Sequence, residues 1–149
     1  MTVVVRDATP ADEMRWRELW AGYLAFYKVD IDPVITDATW RRVFDPASAI
    51  FMRVAEVEGE VLGFTLCLTH EGTWTLRSDC YLEDLFVDAR SRGQGVGRAL
   101  IEAVYAQARA GGAERVYWLT QTGNSTARRL YDQVADESGF VVYRKVIQK

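Results

Sequence analysis

The stretch Arg92-Gly93-Gln94-Gly95-Val96-Gly97 sits between YLEDLFVDARS and RALIEAVYAQARA. Before it the chain is apolar and β-rich. After it Leu100, Ile101, Val104, Tyr105 and Ala108 recur at helical spacing. A strand that ends in a glycine-rich turn and then enters a helix gathers unpaired backbone N–H groups at one point, and the helix N-terminus adds partial positive charge. Glycines let an anion's oxygens approach the backbone closely. Arg90, Arg92 and Arg98 add cationic side chains for charge-assisted contacts. The expectation is a phosphate or pyrophosphate ligand. Nucleotide P-loops require GxxxxGK, and this stretch has no lysine. Dinucleotide turns require GxGxxG, and here the spacing is GxGxG.

The rest of the pattern is α/β. Thr2 to Val5 reads as a first strand. Thr9 and Pro10 signal a helix start, and Trp16, Trp20, Tyr23 and Tyr27 then lie on one helical face. Asp30 to Pro33 ends that helix, Thr36 or Asp37 opens a second, and Pro46 closes it. Phe51 to Val57 and Val61 to Thr69 flank Glu58-Gly59-Glu60 as a hairpin. Tyr81 to Val87 is a strand carrying Glu83 and Asp84. Gly111-Gly112 stops the helix after the glycine turn. Arg115 to Leu119 returns to strand, Asn124 to Tyr131 is helical, and Phe140 to Ile147 is a closing strand. The strand–helix–strand unit at the glycines implies a parallel connection. We find no internal repeat or linker, so residues 1–149 read as one domain: a mixed, mostly antiparallel sheet flanked by helices.

Composition narrows the function. The chain has 149 residues, is 49% hydrophobic, and carries 18 basic and 21 acidic residues for a net charge of −3. That supports a real core and gives no electrostatic reason to bind nucleic acid. Cys67 and Cys80 form no CxxC pair and read as small buried thiols of a cytoplasmic protein. The single histidine, His70, cannot build a metal cluster alone. Its odd spacing from Cys67 puts the two on opposite faces of a strand. No 18-residue apolar stretch predicts a membrane span, and MTVVVRDATP has no signal-peptide pattern.

Arg92, Gly95 and Gly97 fill an acyl-CoA signature of Arg or Gln, two residues, Gly, one residue, then Gly or Ala. NSTARRLY at 124–131 is similar to a second cofactor-side element in which Asn, Ala and Tyr recur. With YLEDLFV and VYWLT, these motifs resemble the GNAT superfamily of N-acetyltransferases, and within it the diamine/polyamine and yeast-type histone/polyamine enzymes. Many relatives have a glycine soon after the tyrosine, whereas here Tyr131 is followed by DQVADESGF.

The resemblance implies that acetyl-CoA is the cosubstrate and that no metal takes part. It places the pyrophosphate against Arg92, Gly93, Gln94, Gly95, Val96, Gly97 and Arg98, with Asn124 on the cofactor side. The pantetheine arm lies along Leu85, Phe86 and Val87 as an added strand, reaching the gap between strands 81–87 and 115–119. The acceptor is a small amine or a peptide lysine. Glu83 is implied as the base and Tyr131 as the acid. A backbone N–H near Phe86 or Val87 is the oxyanion donor. Tyr23, Tyr27 and Asp30 fall where the family's first helices roof the acceptor pocket. A homodimer is implied as well. The alternative is a non-catalytic acyl-CoA-binding module that kept the fold. Simple alternation puts Tyr81, Leu85 and Val87 on the same face as Glu83, with Asp84 on the other.

Overall fold

The computed structural model describes residues 2–148. The chain falls into two compact units, Met1–Leu119 and Thr120–Lys149.

The first unit holds five strands in the order β1 (Val3–Asp7), β2 (Ile50–Val57), β3 (Glu60–His70), β4 (Ser78–Val87) and β5 (Ala113–Tyr117). All pairings are antiparallel except β4 with β5, which is parallel. This is the expected mixed sheet. Glu58 and Gly59, with φ of 52° and 82°, form the two-residue turn between β2 and β3. Both residues sit in the left-handed region, as the hairpin's twist requires.

Three helices cover the sheet. A short 3₁₀ turn at Pro10–Asp12 leads into α1 (Glu13–Tyr27). Asp12 accepts from the Thr9 backbone N–H at 2.8 Å and from Arg6 at 2.8 and 2.9 Å, which fixes the entry of α1. Helix α2 spans Pro33–Phe44 and begins earlier than the Thr36 or Asp37 start expected from sequence. The reason is local: Asp32 caps it by accepting from the Val34 N–H at 2.9 Å, and Pro33 takes the first helical position, where a missing N–H costs nothing. Helix α3 (Val96–Ala110) follows the glycine turn and buries Val96, Leu100, Ile101, Val104 and Ala108.

The two faces of the sheet have different cores. Helices α1 and α2 bring Trp16, Trp20 and Trp40 against Met52, Val54, Phe64 and Leu66. Trp16 is fully buried and stacks on both Trp20 and Trp40 at 5.3 Å. Such pairs are worth about 0.5–1.5 kcal/mol each beyond burial of area. On the opposite face Val96 and Leu100 of α3 pack on Ala55, Leu85 and Val87.

Two features of β4 differ from simple expectation. Leu66 pairs with Asp84 but Cys67 pairs with Leu82, so Glu83 is an extra residue in a β-bulge. The bulge breaks the alternation that grouped Tyr81, Leu85 and Val87 with Glu83. Tyr81, opposite Leu68, lies on the α1 face, while Leu85 and Val87 lie on the α3 face. The pairing of β4 with β5 ends at Tyr81↔Tyr117. Strand β5 therefore ends at Tyr117, two residues before the expected Leu119.

The second unit contains α4 (Ser125–Val134). The closing strand expected at Phe140 to Ile147 does not form, and those residues are exposed and irregular. The sequence there has strand propensity. A strand also needs a ladder partner, and this unit supplies no other strand.

Candidate active site

The glycine turn has the geometry of an anion cradle. Gly93 and Gly95 adopt φ of 79° and 83°, a region L-residues rarely enter, and Gly95 is the N-cap of α3. A Cβ added at either position would meet no protein atom within 4 Å. The space above both glycines is therefore open for an incoming group, and the first-turn amides of α3 lie beside it. Val96, Gly97 and Arg98 are the first three residues of the helix.

The arginines divide. The Arg90 guanidinium is taken by Asp88 and Glu60, each at 3.0 Å, which corrects its expected contribution to phosphate binding. Arg92 folds over the rings of Phe26 and Phe86 at 5.5 and 5.4 Å, and its Nε donates to the Val87 carbonyl at 3.2 Å. It braces the turn against α1 and β4.

Among the described residues no strand pairs with the β5-side edge of β4 beyond Tyr81. From Leu82 to Val87 the strand ladders only with β3. An amide-rich arm can add to such an edge through backbone hydrogen bonds. Leu85, Phe86 and Val87 are the last three residues of β4. The open edge and the glycine cradle adjoin through Asp88 and the short turn at Ala89–Ser91, so the residues present fit acetyl-CoA.

At the fork between β4 and β5 the α1 face gathers carboxylates and phenols. Tyr23 Oη donates to Asp84 Oδ1 at 2.6 Å. Tyr23 continues the ring ladder from Trp20, at 5.2 Å, to Tyr27, at 5.1 Å. Trp16 and Trp20 are thus core, while Tyr23 reaches the site. Tyr81 stacks on Tyr117 at 4.9 Å. Burial pushes Asp84 up to about 6; the Tyr23 hydrogen bond opposes this and the Glu83 charge adds to it. Burial also raises the Tyr23, Tyr81 and Tyr117 phenols, and the Glu83 charge adds to this in each case. Glu83 itself is exposed at the bulge.

Asp84, which alternation set on the far side from Glu83, is the half-buried carboxylate here, and the bulge explains its place. Asp30 is exposed in the loop after α1. His70 lies on the α1 face, opposite in sense to Cys67 as expected. Its Nε2 is 2.6 Å from Tyr117 Oη. Both cysteines are free and buried.

In the second unit Asn124 precedes α4, but its side chain does not cap the helix. Its Nδ2 donates to Thr120 Oγ1 at 3.2 Å. Tyr131 lies on α4, half-buried.

Residues 13–135 match the model of the Acetyltransferase (GNAT) family. The chain belongs to that family. This GNAT chain is 37% identical over 145 residues to the D-amino-acid N-acetyltransferase HPA3 of Saccharomyces cerevisiae, covering 96% of this chain and 90% of that one. It is 28% identical over 141 residues to the uncharacterized N-acetyltransferase YhfO of Bacillus subtilis, covering 93% and 94%. Among solved structures, AAC(6')-Iy in complex with a bisubstrate analogue superposes with a TM-score of 0.82 at 17% identity, covering 98% of this chain and 99% of that one. That identity shows a shared fold. The protein is thus an acetyl-CoA-dependent acetyltransferase, which sets aside the non-catalytic module. Among the described residues no group of His, Cys, Asp or Glu is placed to hold a metal, and no helix is long and apolar enough to cross a membrane.

The cradle gives a direct test. Gly95→Ala places a methyl in the open space and forces alanine into a left-handed conformation, at a cost of about 1–2 kcal/mol. That strain falls on folding, while the methyl stands where the anion's oxygens approach the backbone, so acetyl-CoA affinity should fall roughly 10-fold by calorimetric titration. Unchanged affinity in the folded variant would remove the pyrophosphate from this turn. Gly97→Ala, inside α3, should be milder.

Proposed function

We propose that this GNAT enzyme acetylates the primary amine of a small molecule, a diamine, polyamine or amino acid, or of a peptide lysine, by direct attack on acetyl-CoA. The observation that carries the reading is the pair of carboxylates at the fork. Glu83 and Asp84 adjoin the open β4 edge and, among the described residues, neither is in a salt bridge with a cationic side chain. The neighbouring acids Asp79 and Asp88 are each paired with arginine. Two carboxylates without a partner cation, faced by Tyr23, Tyr27 and Tyr81, suit an ammonium ion. The name of the yeast relative points to an amine acceptor as well.

In this reading acetyl-CoA supplies the acetyl group as an activated thioester. The chain's residues do the rest. Gly93 to Arg98 bind its pyrophosphate, with Asn124 on the cofactor side, and Leu85 to Val87 align its arm. Tyr23, Tyr27 and Asp30 surround the acceptor. Glu83 draws in the ammonium and accepts its proton directly or through one water. A backbone N–H near Phe86 or Val87 stabilises the developing oxyanion. Tyr131 protonates the departing thiolate. The enzyme acts as a cytoplasmic homodimer and as one domain, residues 1–149.

The test is CoA-thiol release on mixing acetyl-CoA with spermidine, diamines, lysine, D- and L-amino acids and a histone-tail peptide. Acceptor-dependent release with one of these amines is the expected result. Release that no amine accelerates would overturn the reading.

A further inference from the structure

The His70 ring is held at both nitrogens. Nδ1 is 2.7 Å from the Glu71 carbonyl, and Nε2 is 2.6 Å from Tyr117 Oη. A carbonyl oxygen only accepts, so Nδ1 carries the proton. In the neutral ring Nε2 is then an acceptor, and the Tyr117 hydroxyl donates to it. The ring and phenol also meet edge to face at 5.7 Å. Tyr117 is the last residue of β5 and pairs with Tyr81 where β4 and β5 part. Its phenol thus stands at the fork, stacked on Tyr81, within the field of the Glu83 charge. A phenol whose own proton already points at an imidazole can take a second proton from the cleft and pass the first one on.

We propose that Tyr117 and His70 form the proton exit of this site, clearing the proton that the acceptor amine leaves on Glu83. The inference rests on the reading of Glu83 as base. The bonds balance. The O–H bond of protonated Glu83 breaks and one forms at Tyr117 Oη, directly or across one water. The original Tyr117 O–H breaks as an N–H forms at His70 Nε2. The positive charge ends on the half-exposed imidazolium, which returns the proton to solvent. Once Nε2 has given its proton to solvent, the new Tyr117 hydroxyl turns back toward it, and the relay resets each turnover.

Other ionisable groups face His70. Asp79 of β4 lies opposite it in register, but is bound by Arg115 of β5 at 2.9 and 2.8 Å. Tyr81 and Glu83 face it across Tyr117, and Glu71 follows it in the chain. On the same face of the sheet burial pushes Asp84 up to about 6, so the experiment must separate it from His70.

The chain contains one histidine, which makes the separation direct. Imidazole NMR of the wild type reports the His70 tautomer and pKa without ambiguity. The neutral ring is expected to be protonated at Nδ1, and Tyr117→Phe should shift the Nε2 resonance. In turnover, protonated His70 cannot accept, so kcat should fall as pH drops through the NMR-measured pKa. His70→Gln should lower kcat roughly 10- to 100-fold near pH 8, at or below the low end of what a positioned proton-transfer group contributes. It should also abolish that acid limb while leaving acetyl-CoA affinity unchanged. Tyr117→Phe should reproduce both effects, and added imidazole should restore part of the rate to His70→Ala. An acid limb that persists in His70→Gln and disappears in Asp84→Asn would overturn the relay and leave Glu83 as base. A neutral ring protonated at Nε2 would overturn it too. Loss of turnover in the wild type on every amine would remove both the relay and the reading beneath it.

Discussion

Glu83→Gln is expected to lower turnover on a cationic amine by about 10²- to 10⁴-fold near neutral pH, the range for removal of a positioned base, with acetyl-CoA binding preserved. A primary ammonium has a reference pKa near 10.4, so little free amine exists at pH 7 and the base must supply it. The substitution keeps the side chain's shape and removes its charge and basicity. Glu83 stands exposed at the bulge, next in the chain to Asp84, and that exposure leaves room for the acceptor or one bridging water. The deficit should shrink as pH rises toward 10, where free amine forms unaided. Asp84 supplies the complementary signature. It sits at about 6, so it is charged above that value and neutral below it. Attraction of the ammonium should therefore weaken as pH falls through 6, and the acceptor KM should rise, in wild type and Glu83→Gln alike. A pH–rate profile of both proteins across about pH 6–10 decides the matter. Superimposed profiles would pass the role of base to Asp84 or to ordered water. A loss equal at every pH would make Glu83 a group that positions the acceptor.

Tyr131→Phe should reduce turnover roughly 10- to 1000-fold with acetyl-CoA affinity nearly constant. The change removes one hydroxyl and almost no volume. A thiolate leaving without a proton is stabilised less, so the loss belongs in kcat. Its place in the motif NSTARRLY, on α4, supports the role. Acceptors that react more slowly at the attack step should show a smaller deficit, because the departure step then limits less. Wild-type turnover in the folded variant would reduce Tyr131 to a packing ring.

Much of this protein is written in short-range pattern. The glycine turn, the helix after it and the β2–β3 hairpin each follow from residues within one or two turns of chain. Gly93 and Gly95 take the left-handed conformations that the turn needs. The aromatic face of α1 was equally legible, as a period of three and four. The start of α2 was misplaced because Asp32 and Pro33, a cap and a first-turn residue, were read as the end of α1. The segment 140–147 misled in the other direction. Its β-branched residues favour a strand, and propensity says nothing about whether a partner edge is there.

The sequence by itself determined the family, the glycine turn at the head of α3 and the identity of the acidic pair, because each is carried by residue types at fixed local spacing. Only the tertiary structure decided where each of the pair sits. One extra residue in the β3–β4 register turns Glu83 out to solvent and Asp84 inward, and a bulge is a mismatch between two strands that neither strand shows alone. Tyr23 meets Asp84 across 61 residues, and His70 meets Tyr117 across 47. Such contacts are fixed by how α1 packs and where β4 and β5 part, which depends on the whole buried core and on no local period.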